Sequence, residues 1–184
     1  MRIIVGICGA SGVGYTKLLL EELKKCKIET HVIISDWAKK ILQHESPEAK
    51  IEELANYVYD NSDLAANISS TSFLTDAMVI LPATVKTVSD IANAHTDNLI
   101  ARCADNMLRQ RKKLIVCIRE TPLSAPALEN LHKLALYGAI VFPLSPGFYH
   151  KPKTIEEMQS FIVGKILDLL GIENDLFKRW ENEL

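Results

Sequence analysis

The chain has 184 residues, 48% of them hydrophobic and 24% charged, with a formal net charge of -2. That length and balance describe one soluble globular domain, and the near-neutral charge offers no basic field for nucleic acid. No apolar stretch reaches the ~18 residues a spanning helix needs, and the chain enters a strand pattern at once, so a cytoplasmic protein without a signal peptide or membrane span is expected.

The apolar runs alternate with longer amphipathic segments. IIVGIC (3–8) reads as a buried strand and TKLLLEELKKC (16–26) as a helix. ETHVIIS (29–35) is a second strand, DWAKKILQH (36–44) a second helix and IEELANYV (51–58) a further short helix. AMVILPAT (77–84) is a third strand, followed by a helical pattern over 88–111 with a break near His95–Asp97. KKLIVCIRE (112–120) is a fourth strand and LENLHKLALYG (128–138) a helix closing at Gly138. AIVFPL (139–144) is a fifth strand, and the helix over 154–171, with its tail to 184, ends the domain. Continuous apolar strands separated by helices predict a parallel sheet covered on both faces. The fold class is therefore α/β, a doubly wound, Rossmann-like (flavodoxin-like) sheet in a single three-layer domain.

The four cysteines, Cys8, Cys26, Cys103 and Cys117, form no CxxC pair. Three lie in apolar or helical stretches and read as buried thiols of a reducing compartment. The histidines show no metal-ligand spacing, so no metal is expected.

In such folds ligands sit where the carboxyl ends of the strands meet the loops. Those ends carry GASG, Ser35, PATVKT, RETP and SPGFYHKP. A strand–glycine turn–helix offers backbone N–H groups and a positive helix end to an anion. Gly14 is followed by Tyr15 and Thr16 rather than Lys-Ser/Thr, which rules out a nucleoside-triphosphate P-loop. The second strand ends in Ser35 rather than the acid a dinucleotide ribose wants, with Asp36 placed to start the helix. A hydroxyl there suits a phosphate, which favours a mononucleotide such as FMN. Thr84 and Thr87 flank Lys86 in a similar position, and either threonine reads equally as a helix cap. Each remaining polar residue also has a structural reading: Ser11 as a helix cap, Glu45 as a solvated helix end, Arg119–Glu120 as a surface pair, Lys165 as an exposed helix face, Tyr149–His150 as an aromatic corner.

Taken together the loops resemble one family. GxxGASG (6–12), THVIIS (30–35), HES around Glu45, ISSTSF (68–73), MVILPATVKT (78–87), DNLIARCAD (97–105), RETPL (119–123), PGFYHKP (146–152) and DLFKRW (175–180) occur in order along nearly the whole chain. This pattern is similar to the UbiX/Pad1 flavoproteins, the flavin prenyltransferases. The resemblance implies a metal-independent transferase that joins a dimethylallyl group from dimethylallyl phosphate to N5 and C6 of reduced FMN. FMN is then a substrate, and its prenylated form passes to a UbiD-type decarboxylase. It also implies a homo-oligomer, often a dodecamer, with sites at subunit junctions; exposed apolar positions such as Trp37 and Phe148 would serve such interfaces.

Matched residue by residue, the resemblance implies FMN binding by Gly9, Ala10, Ser11, Ser35, Thr84, Val85, Lys86, Thr87 and Arg119. It implies binding of the prenyl phosphate by Arg109, Arg119, Tyr149 and Lys165, and proton handling by Ser11, Glu45 and Glu120. Four positions depart from the family's common pattern. Ala83–Thr84 stands for Cys-Ser, Arg109 for lysine, Lys165 for arginine and Thr71 for a glycine beside the prenyl site. The charge-conserving swaps change hydrogen-bond geometry, and Thr71 bears on the size or headgroup of the donor. The rival readings are an FMN-dependent cysteine decarboxylase, an accessory subunit of a hydroxyaryl acid decarboxylase and a non-catalytic flavin-binding module. The first wants an asparagine in the PATVKT loop, and none occurs before Asn93.

Overall fold

The computed structural model describes residues 1–180. Six strands alternate with helices: β1 (Arg2–Ile7), β2 (Glu29–Ile34), β3 (Tyr57–Asp60), β4 (Ala77–Ala83), β5 (Lys113–Ile118) and β6 (Ile140–Pro143). The helices are α1 (Val13–Lys25), α2 (Asp36–Glu45), α3 (Ile51–Leu54), α4 (Val85–Ala92), α5 (Leu99–Arg109), α6 (Ala125–Leu136) and α7 (Ile155–Leu170). All strand pairs are parallel, in the order β3-β2-β1-β4-β5-β6. The order reverses between β1 and β4, so the loops after these two strands part and leave a crevice at their carboxyl ends.

Strand alternation sorts the core into two layers. Ile3, Val5 and Ile7 pack with α1 and α7, while Ile4 and Cys8 pack with α4 and α5 on the opposite face. Gly6 lets α5 approach closely: a Cβ there would lie 3.3 Å from the Ile100 side chain. Every residue of β4 is buried, as its unbroken apolar run predicts.

One expectation needs correction. The segment expected as one helix over 51–58 is helical only at Ile51–Leu54, and Tyr57–Asp60 forms a sixth, edge strand. Asp36 opens α2 as expected, and the helix is capped by Ser35, whose hydroxyl accepts the Ala38 amide at 3.2 Å. The expected break near His95–Asp97 is present between α4 and α5. Gly138 follows the C-cap of α6 with φ +98, a left-handed conformation that a side chain would strain. Cys8, Cys103 and Cys117 are buried and Cys26 is exposed.

Candidate active site

The crevice is built from the ends of β1, β2, β4 and β5. Backbone bonds join its walls: Cys8 N donates to Pro82 O (3.1 Å), Ser35 N to Ile7 O (3.1 Å) and Arg119 N to Ala83 O (3.2 Å). Across the β1/β4 switch point the Thr87 hydroxyl donates to Cys8 Sγ at 3.2 Å and meets the Thr84 hydroxyl at 3.0 Å. Burial pushes the Cys8 thiol up to about 11, so it stays protonated at neutral pH and packs rather than reacts.

The helix start that follows the GASG turn already holds an anion of the chain's own. Gly12, at φ +105, occupies the N-cap of α1 without a side-chain cap. The first amides of that helix instead point at the carboxylate of Glu45, whose Oε2 accepts from Gly12 N (2.9 Å) and Val13 N (3.4 Å). Ser11 is therefore no helix cap; its hydroxyl bonds to the Glu45 carboxylate. Partial burial pushes the Glu45 carboxyl up, but the Ser11 hydroxyl, the two amides and the charge of Arg119 outweigh it and hold the group below its ordinary value. Glu45 is thus ionised at neutral pH, the anion at the positive end of α1.

The helix starts left open to a ligand anion are those of α4 and α2. Thr84 caps α4, accepting the Thr87 amide at 3.2 Å, and the N–H groups of Val85 and Lys86 precede any intrahelical partner. The Lys86 ammonium runs along the helix to Asp90 (2.7 Å), so this residue's contribution at the rim is its backbone. Beside these groups lies Arg119, whose Nε is buried with no hydrogen-bond partner. A buried, unpartnered guanidinium N–H is costly unless an acceptor arrives. Hydroxyls, open helix starts and an orphaned arginine fit a phosphorylated mononucleotide such as FMN. Gly9 sits where a Cβ would lie 2.3 Å from the Trp37 Cβ, so the turn and the first turn of α2 meet with no room for a side chain.

The other sequence-expected residues lie apart. Glu120 is exposed, and its carboxylate accepts the Thr121 amide at 3.1 Å. Tyr149 and Lys165 gather around Phe161 on α7: the Tyr149 ring is 5.9 Å from Phe161 and 5.3 Å from Trp180, and Lys165 Nζ lies 6.0 Å from the Phe161 ring. Lys165 is on the exposed face of its helix, and Tyr149–His150 is an aromatic corner, as their structural readings had it. Arg109 ends α5, paired with Asp105 at 2.9 Å, near the amino-terminal end of β5, whereas Arg119 follows that strand's carboxyl end. Thr71 is beside Arg109, its carbonyl accepting from Gln110 Nε2 at 3.0 Å. Sequence reasoning missed Trp37 as a wall of the glycine turn; the glycine at position 9 was its only signal. Among the described residues no group of three or more His, Cys, Asp or Glu has metal-holding geometry, and no helix is long and apolar enough to cross a membrane.

Fold and rim together define a doubly wound α/β protein built for a phosphorylated mononucleotide. The sequence model of the Flavoprotein family matches residues 1–167. The flavin prenyltransferase UbiX of Thermoplasma acidophilum is 49% identical over 182 residues, 98% of this chain and 100% of the relative. Among solved structures, AnUbiX (PadA1) in complex with FMN and dimethylallyl pyrophosphate superposes with a TM-score of 0.96 at 37% identity, covering 98% of this chain and 97% of that one. A dodecameric FMN-dependent UbiX-like decarboxylase from Escherichia coli O157:H7 does so with a TM-score of 0.96 at 36% identity, covering 99% and 100%. The chain belongs to the Flavoprotein family and, within it, to the UbiX flavin prenyltransferases.

Proposed function

We propose that the β1/β4 crevice holds reduced FMN as a substrate and that its residues divide the work of prenylation. The reaction joins the dimethylallyl group of dimethylallyl phosphate to N5 and C6 of the flavin and releases phosphate. Ser35, Thr84, Thr87 and the amides of Val85 and Lys86 bind the FMN phosphate; Gly9 and Ala10 let the turn lie close to the ligand. The observation that carries this reading is the Arg119 Nε, buried beside the crevice without a partner. In this role Arg119 bonds the flavin and faces the donor phosphate.

Ionising an allylic phosphate develops negative charge on the leaving group, and cations aimed at it stabilise that charge. Tyr149 and Lys165 supply a hydroxyl and an ammonium, with Arg109 of a second copy completing the set. After the second bond, the carbon–carbon bond to C6, forms, C6 loses a proton. Glu45, ionised and bonded to the Ser11 hydroxyl, takes up or relays it, and Glu120 lies one residue from Arg119 to assist. The product serves a UbiD-type decarboxylase, and the working form is a homo-oligomer, a dodecamer by analogy with the E. coli relative.

The test is direct. Protein incubated anaerobically with reduced FMN and dimethylallyl phosphate yields an FMN adduct heavier by one C5 unit in mass spectrometry. Unmodified FMN with every C5 donor, mono- or diphosphate, sinks the reading.

A further inference from the structure

Helix α5 turns a row of polar side chains, at helical spacing, toward the 68–73 loop. Arg102 Nε donates to Ser69 O at 3.4 Å, Asn106 Nδ2 to the same carbonyl at 2.8 Å and Gln110 Nε2 to Thr71 O at 3.0 Å. Residues four apart share a helix face, so one strip of α5 holds the loop by its carbonyls. The middle of the strip differs from its ends. Arg102 is exposed and Gln110 half-buried, whereas Asn106 is buried, with 3% of its surface exposed. A buried amide needs partners at both of its ends. Nδ2 has the Ser69 carbonyl, and Oδ1 accepts from Arg109 Nη2. The reverse setting of the amide would put oxygen against the carbonyl and N–H against the guanidinium, so these two neighbours fix which end faces Arg109.

Arg109 is therefore held at two points. Asp105 Oδ2 takes its Nε at 2.9 Å, and Asn106 Oδ1 takes its Nη2. A guanidinium carries five N–H groups in one plane. A single partner at Nε leaves that plane free to swing; a second at Nη2 sets it. Three N–H groups then remain for an oxyanion, on a side chain that is 54% exposed. An ammonium at this position would have no plane to set.

We propose that Asn106 is a positioning residue for the donor phosphate: its Oδ1 holds the Arg109 guanidinium in one orientation, so that the arginine standing in the family's lysine position meets the phosphate as a directed fork. The proposal rests on the assignment of Arg109 to the donor phosphate of a second copy. Asn106 itself touches no substrate and acts only through Arg109.

The experiment measures KM for dimethylallyl phosphate, KM for reduced FMN and Tm in the full-length oligomer and its variants. Asn106→Leu is expected to raise the donor KM about tenfold, with the FMN KM within about twofold of wild type. Asn106→Asp has oxygen at both ends, so it presents an acceptor to Arg109 without help from Ser69; its donor KM is expected within about threefold of wild type. Asn106→Ala carries the expectation of Asn106→Leu if that variant does not fold. Arg109→Met raises the donor KM at least as far, and adding Asn106→Leu to it changes nothing further, because the two residues act as one unit.

An unchanged donor KM in Asn106→Leu overturns the proposal, as does the same rise on adding Asn106→Leu to Arg109→Met. Should Asn106→Asp behave as Asn106→Leu does, Asn106 is only a tether of the 68–73 loop and the proposal falls. A wild-type donor KM in Arg109→Met removes Arg109 from the donor site, and this inference falls with that assignment. A raised donor KM in Arg109→Met beside an unchanged one in Asn106→Leu removes this inference alone.

Discussion

Glu45→Gln separates the two roles that meet on one carboxylate. Glu45 holds the Gly12 and Val13 amides at the start of α1, so losing its charge weakens helix α1 as well as any proton transfer. A carboxylate at an exposed helix N-terminus contributes roughly 0.3–1 kcal/mol, and Glu45 is exposed, so solvent screening favours the lower part of that range. Glutamine keeps an acceptor for one amide. For a chain of this length the stability lost corresponds to a fall in Tm of about 1–4 °C. A domain with 5–15 kcal/mol in hand, by contrast, stays almost wholly folded after such a loss. Loss of a positioned proton-transfer group costs on the order of 10²–10⁴ in rate. The two effects differ by enough to be told apart in one variant. FMN affinity is expected to hold, Tm to drop by a few degrees, and the rate of adduct formation to fall at least about a hundredfold. Adduct formation within about threefold of wild type would reduce Glu45 to the cap and tether of α1. The pH dependence carries the same sign: because the folded-state carboxyl titrates below its ordinary 4.5, its stabilisation is present above that pH and is lost as pH falls through the lowered value. The variant lacks that acid limb.

Three further outcomes are expected. Gly9→Ala puts a Cβ 2.3 Å from the Trp37 Cβ and forces apart the turn and the start of α2, at a cost of about 1–3 kcal/mol; a lower Tm and weaker FMN titration are expected, and wild-type values in both would show that the contact yields freely. Thr16→Val removes the buried hydroxyl that donates to the Leu81 carbonyl at 2.6 Å, so the denaturation midpoint should move by about 1–3 kcal/mol of stability; an unmoved midpoint contradicts the bond's role. Burial lowers the His31 imidazole against the opposing pull of Glu29, so the unfolded chain binds the proton first and stability falls as pH drops from about 6.5 toward the lowered value. The Glu29 carboxyl, held down to about 2 by Arg2 and His31, acts only below its ordinary range, so the windows do not overlap. His31→Gln is expected to flatten the slope just below pH 6.5 in urea titrations, and an unchanged slope would assign the titration elsewhere.

What was readable in the chain follows from how local each feature is. β4 declared itself because all seven of its residues are buried and apolar, a pattern that no exposed element produces. β3 did not: at the sheet edge it pairs on one side only and its four residues are mostly exposed, so no apolar run marked Tyr57–Asp60 and the segment merged with the helix before it. Ser35 and Thr84 were visible as hydroxyls at strand ends, but their caps were not separable from ligand contacts, and in the structure both caps exist beside open amides. The partner of Glu45 was out of reach altogether. The carboxylate is 33 residues from Gly12, and only the folding of α2 back against the turn after β1 brings them together. A glycine turn that reads as an anion cradle was already filled by the chain's own acid.

Arg109 and Arg119 lie ten residues apart in sequence, which invites placing both on one phosphate. Between them runs β5, six residues from Lys113 to Ile118, which at roughly 3.3 Å per residue separates the two guanidinium-bearing ends by about 20 Å. No side-chain rotation closes that gap, so a donor phosphate touched by both needs Arg119 from one copy and Arg109 from another. The surface is suited to such an arrangement: Trp37 and Phe148 are each 67% exposed, at the rim of the crevice and in the loop before Tyr149. Apolar rings of that size left in water beside a half-built site are what a subunit contact removes. In the proposed arrangement the Arg109 departure from lysine would act on a neighbour's donor rather than on its own, and a planar guanidinium delivered across an interface would bond a phosphate through two parallel N–H groups where an ammonium offers a point charge.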